Sequence, residues 1–60
     1  MKFEEKKRYY VEKYISEVSA DAANAPIVLE EVLSDSGLDK DERAEILLAI
    51  SKTVDKREAN

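Results

Sequence analysis

The carboxylates of "SDSGLDKDER", residues 34 to 43, are the densest group of chemistry-bearing side chains in the sequence, and they surround its only glycine, Gly37. Such a stretch could hold a cation. A calcium loop of the EF-hand kind needs oxygen ligands at its first, third and fifth positions, glycine at the sixth and a bidentate glutamate at the twelfth. With Gly37 in sixth place the first position is Val32, which cannot ligate; with Asp35 first, Lys40 falls where the glycine belongs. Neither register works, so metal binding is not expected.

The same residues could be the turn of a DNA-reading helix pair, because "VLEEVLSDSGLDKDERAEILL" has apolar segments on both sides of Gly37. The second helix of that pair would turn Asp41, Glu42 and Glu45 toward phosphates, where backbone contacts require lysine and arginine. A helical hairpin describes it better. The basic "KKRYY" could stack on single-stranded nucleic acid. Tyr10 and Tyr14, however, share a helical stripe with Val11 and Val18, which leaves Tyr9 exposed among Lys2, Lys6 and Lys13. Direct nucleic-acid binding is therefore not expected.

Catalysis has even less material. The chain has no histidine, no cysteine and no glycine-rich phosphate loop, and it is too short to wall off a pocket of the usual size. Glu30 and Glu31 are adjacent, and neighbours on a helix diverge by about 100°, so they form no acid/base dyad. Neither an enzyme nor a cofactor is expected.

The elements that carry these residues follow from periodicity. One glycine and one proline in 60 residues leave little material for sheet turns. Tyr10, Val11, Tyr14, Ile15, Val18 and Ala22 recur at steps of three and four, which predicts a first helix over about residues 3 to 20. Asn24 and Pro26 mark a break and a new start. A short second helix over about 26 to 36 carries Val28, Leu29, Val32 and Leu33 on one stripe, and Ser36 with Gly37 ends it, the glycine being suited to a left-handed cap. Asp39 and Glu42 have the spacing of a capping box and open a third helix that runs to about residue 57. The fold class is all-α, a small three-helix bundle or a helical hairpin plus an N-terminal helix, forming a single domain over residues 1 to 60.

A chain of this length is marginal alone and has no disulfide or zinc site to staple it, so completion by dimerisation is expected. The apolar residues support that expectation. On the third helix Ala44, Ile46, Leu47, Leu48, Ile50 and Val54 fan over roughly 200°, twice the stripe a monomer's surface helix needs. Ile27 falls on the side of Glu30 and Glu31, away from its own stripe, and Phe3 with Tyr10 extends the first stripe. Phe3, Tyr9, Tyr10, Tyr14, Ile27, Ile46, Leu48 and Ile50 are accordingly the candidate partner or dimer interface, with Glu30, Glu31, Asp41, Glu42 and Glu45 as its electrostatic rim.

Charge adds a polarity. Residues 1 to 14 carry a balance of +2, residues 15 to 50 a balance of −7 and the last ten +1, within a net charge of −4. A basic start facing an acidic middle implies internal or intermolecular complementarity. With no apolar run near the roughly 20 residues of a membrane span and acids where a signal peptide would be basic, the cytoplasm is the expected compartment. The function expected is a small acidic interaction module, a homodimeric regulator or inhibitor that occludes a partner protein with a basic surface. A nucleic-acid mimic acting on a DNA- or RNA-binding protein and a structural subunit of a larger assembly are the alternatives.

Overall fold

Lys2 takes an extended conformation and the chain turns helical at Phe3, with Glu4 and Glu5 in a first turn whose free amides favour negative charge. The computed structural model describes residues 2 to 58, with side chains described as far as Lys56. Helix α1, Phe3–Ala20, stops where Asp21 becomes extended. The Asp21 carboxylate then accepts from the Ala23 amide at 3.0 Å, shaping a single 3-10 turn, Ala22–Asn24. Asn24 closes the corner by donating its side-chain amide at 3.0 Å to the Glu17 carbonyl, which also accepts from the Asp21 amide at 3.0 Å.

Helix α2, Ala25–Ser34, has Pro26 in its first turn, where a missing amide proton costs nothing. It ends two residues before the expected boundary, because Asp35 leaves helical geometry for an extended one. Helix α3, Lys40–Glu58, opens on the expected capping box: the Asp39 carboxylate accepts from the Glu42 amide at 2.8 Å, and the Glu42 carboxylate accepts from the Asp39 amide at 3.0 Å.

Ion pairs give the directions of packing. Lys6 meets Asp35 and Lys13 meets Glu31, so α1 and α2 run antiparallel, while Lys7 meets Glu45, which sets α3 beside α1. The result is an all-helical three-helix bundle closed within one chain. Its core is Tyr10 from α1, Val28 and Val32 from α2, Leu38 from the connection, and Ile46 and Ile50 from α3. Phe3, Val11, Tyr14, Leu29, Leu47 and Val54 pack around that centre.

This core corrects the expected interface. Tyr10, Ile46 and Ile50 are buried inside the chain, while Phe3 and Tyr14 are half-buried against the same core. The wide apolar fan of α3 has a simple cause: α3 packs against both other helices, so two stripes are used where one was counted. Leu33, read as part of the core stripe, is instead exposed, and Leu38 is buried in its place. Leu38 stands directly before the capping box, the position from which an apolar residue folds back onto its helix.

One side chain fastens all of this. The Asp35 carboxylate accepts from the Tyr10 hydroxyl at 2.7 Å, from the Gly37 amide at 2.8 Å and from the Lys6 ammonium at 3.2 Å. Its carbonyl accepts from Arg43 Nη2 at 2.8 Å, although Arg43 Nε is buried without an acceptor. Gly37 does not adopt the left-handed cap expected of it, since no described residue has a positive φ. Its role is closeness: a Cβ there would stand 2.8 Å from Lys6 Nζ and 3.2 Å from Asp35 Oδ1.

Two outcomes follow from this contact set. The Tyr10 bond, then the Gly37 amide and Lys6, hold Asp35 at about 2, below its ordinary 3.8. A carboxyl that binds its proton more weakly in the folded chain stabilises the fold fully above the unfolded value, and the contribution fades as pH falls through the folded one. The melting-temperature gap between the wild type and Asp35→Asn is therefore expected to be constant above about pH 5 and to close toward about pH 2; a gap that persists at low pH removes Asp35 from this role. Gly37→Ala is expected to destabilise the wild type by displacing Lys6, and to cost less in a Lys6→Ala background, where only the 3.2 Å approach to Asp35 Oδ1 remains to oppose the gain of up to about 1 kcal/mol from a stiffer unfolded chain. Urea titrations of the four proteins test this, and strict additivity contradicts it.

Candidate interaction surface

The acids expected to rim an interface divide into two groups once the lysines are placed. Glu31 accepts from Lys13 at 2.6 Å, and Glu45 accepts from Lys7 at 3.2 Å, with Glu4 adding a second carboxylate at 3.4 Å. Both lysines hold their protons more strongly than usual, and in each case the hydrogen bond to the glutamate across the helix interface is the first cause. Glu42 is occupied by the capping box. Glu30 and Asp41 are exposed and hold no ion pair among the described residues. The rim therefore reduces to those two from the original five.

The basic start is used up in the same way. Lys6 is turned inward to Asp35, so it does not accompany Tyr9 on the outside. Tyr9 is exposed, with the Lys13 ammonium 5.7 Å from its ring centre and the Tyr10 ring set edge-on at 5.3 Å. A platform for nucleic acid needs free cations beside the ring; here Lys6, Lys7 and Lys13 are spent on carboxylates, which leaves Lys2 and Arg8. Three carboxylates of the acidic middle, Glu31, Asp35 and Glu45, each face a lysine, which interrupts any row spaced like phosphates.

The folded chain also leaves large apolar side chains outside. Tyr9 (47%), Ile27 (56%), Leu33 (55%) and Leu48 (54%) are about half exposed. Ile27 and Leu33 lie on opposite flanks of α2, since about 100° per residue separates them by 120° around the helix. The Ile27 flank is charged, for Ile27 shares a shallow recess with Glu30, Glu31 and Ser34. Leu33 lies on the flank that faces α3, where a cleft of about 350 Å³ is lined by Tyr14 of α1, Leu29 of α2 and Leu47, Ile50, Ser51, Val54 and Asp55 of α3, without Leu33 itself. Sequence reasoning placed Ile27 and Leu48 correctly outside but missed Leu33, which lies at the edge of its stripe and reads as core until the position of α3 is known.

Among the described residues no group of three acids could hold a metal ion, and no helix is long and apolar enough to cross a membrane. The recess between α1 and α3, lined by Glu4, Glu5, Lys7, Arg8 and Glu12 over Val11 and Ala49, is open and carries charges of both signs.

Burial separates the two kinds of apolar residue energetically. Ile46→Ala is expected to destabilise by about 2–5 kcal/mol, the range for emptying a packed site, whereas Leu33→Ser and Leu48→Ser are expected to stay within about 0.5 kcal/mol of the wild type. Urea denaturation measures all three; a loss at Leu33 comparable to that at Ile46 would place Leu33 in the core.

Comparison of the chain with protein-family models, with curated proteins and with solved structures finds no match to any of them.

Proposed function

We propose that this protein acts by binding another protein through the outer surfaces of α2 and α3, as a regulator or inhibitor that covers a working surface of its partner. The observation that carries this reading is the half-exposure of Ile27, Leu33 and Leu48 after the core has been closed within a single chain. Folding does not require these side chains outside, and solvent-facing leucine and isoleucine are what a docking partner can cover. The open carboxylates Glu30 and Asp41 stand on the same two helices. In a chain of net charge −4 they favour a partner with a basic surface and speed encounter with it.

The chemistry of such binding divides between the two groups. Apolar anchors set the lifetime of the complex, and the acids set how fast it forms, so raising salt slows association more than it speeds dissociation. The expected outcome is that the wild type, immobilised and exposed to extract from its native host, retains a discrete protein. The variant Ile27→Ser/Leu33→Ser/Leu48→Ser, with an unchanged helical circular dichroism spectrum, should retain none. Equal retention by both, or no retention by the wild type, defeats the reading.

A further inference from the structure

Two of the exposed apolar side chains, Tyr9 and Ile27, belong to one face of the bundle, the one that α1 and α2 share. The contacts that join them cross the seam between these helices. The Lys13 ammonium stands 5.7 Å from the Tyr9 ring centre and 2.6 Å from Glu31, and Glu31 lines the same recess as Ile27. Tyr9 precedes Lys13 by one helical turn, Ile27 precedes Glu31 by one turn, and the helices are antiparallel. The two apolar side chains therefore lie on opposite sides of the ion pair, each about 6 Å from it along the bundle axis. Ser16, Ala20 and Ser34, all exposed, add small uncharged side chains to the face. At about 100° per residue Glu12 and Glu30 lie about 60° farther round their helices than Tyr9 and Ile27, at the rim, where solvent screens them.

This face is complementary to itself. A two-fold axis laid across the seam would set Lys13 against Lys13 and Glu31 against Glu31. An axis laid along the seam sets α1 of each copy over α2 of the other, so that Lys13 meets the second copy's Glu31 and Glu31 meets its Lys13. The charges of the two ion pairs then alternate around a square. One turn to one side of the square Tyr9 approaches its own counterpart, and one turn to the other side Ile27 does the same. Each helix lies over an antiparallel neighbour, as in an up-and-down four-helix bundle. A chain of 60 residues gains from such a partner, because its own core is marginal. Leu33 is on the opposite flank of α2, and Leu48 belongs to α3, so both stay outside.

We propose that the α1–α2 face is the contact between two copies of this chain, paired about a two-fold along the seam, with Tyr9 and Ile27 as its apolar layers and the Lys13 and Glu31 charges shared between copies. The proposal is separate from the protein-binding reading and leaves Leu33 and Leu48 open to a different protein.

The test is sedimentation equilibrium of the full chain at several concentrations, with circular dichroism confirming that each variant is folded. The wild type is expected to be a reversible monomer–dimer, since a contact of few side chains belongs to the weak class. Ile27→Ser should raise its dissociation constant at least about tenfold, whereas Leu33→Ser and Leu48→Ser should leave it unchanged. Charge reversal separates the contact between copies from the pair within one chain. Lys13→Glu turns every charge of the square negative and Glu31→Lys turns every charge positive, so each variant should be monomeric where the wild type pairs, while an equal mixture of the two should form a heterodimer. A wild type that is monomeric at about 1 mM, a dimer indifferent to Ile27→Ser, a dimer that Leu33→Ser or Leu48→Ser weakens as much, or a mixture no more associated than its components overturns the proposal. The two readings fail separately: a monomeric wild type that still retains a host protein removes the dimer and keeps protein binding, and a dimer that retains none does the reverse.

Discussion

The Asp35 carboxylate is the constraint on which the rest of the bundle depends. It draws Lys6 and Tyr10 of α1, the Gly37 amide of the connection and, through its own carbonyl, Arg43 of α3 to one point. Three helices of 18, 10 and 19 residues have few apolar contacts with which to choose one arrangement. A carboxylate with three donors chooses for them, because any slide of α1 along α2 leaves a hydroxyl, an ammonium or the acid itself without its partner. The Tyr10 hydroxyl is affected in return: burial first, then the Asp35 bond, pushes it up to about 12, so Tyr10 enters the core as an uncharged donor at any ordinary pH.

The polarity of charge along the sequence is thereby explained as an internal matter. Lys6, Lys7 and Lys13 of the basic start each find a carboxylate on α2, α3 or the connection. Exposed pairs of this kind contribute little to stability, but they orient: the three lysines fall on two flanks of α1 and fix which neighbour lies on which side. The consequence for function is subtractive. Once these pairs are made, the acidic character that remains outside is carried by fewer groups than the composition implies, and α2, lacking any base of its own, keeps the most one-sided charge.

Much of this was legible beforehand. The boundaries of α1, the break at Asn24 and Pro26, and the capping box at Asp39 and Glu42 are local matters, decided within a few residues, and all appear as read. The failures share a different origin. Leu33 and Leu38 are both leucines near a helix end, and only the path of the connection decides that Leu38 turns in and Leu33 out. Tyr10, Ile46 and Ile50 were assigned to an interface because an apolar fan reads the same whether a second helix or a second protein covers it. Gly37 was assigned a left-handed backbone, when what it supplies is space for a lysine 31 positions earlier in the chain. Each miss concerns a contact between residues distant in sequence, which periodicity cannot reach.

The same distinction governs the candidate surface. Single apolar residues scattered over a surface are ordinary and imply nothing. Leu33 stands one helical turn from Leu29 and Leu48 stands next to Leu47, both of which are drawn in, yet Leu33 and Leu48 stay about half exposed themselves. Helix α2 is the least polar of the three helices, yet only Val28 and Val32 are fully buried from it. A bundle of this size fills its core with one stripe of such a helix, so the remaining apolar flank adds nothing to folding and exposes the chain to association.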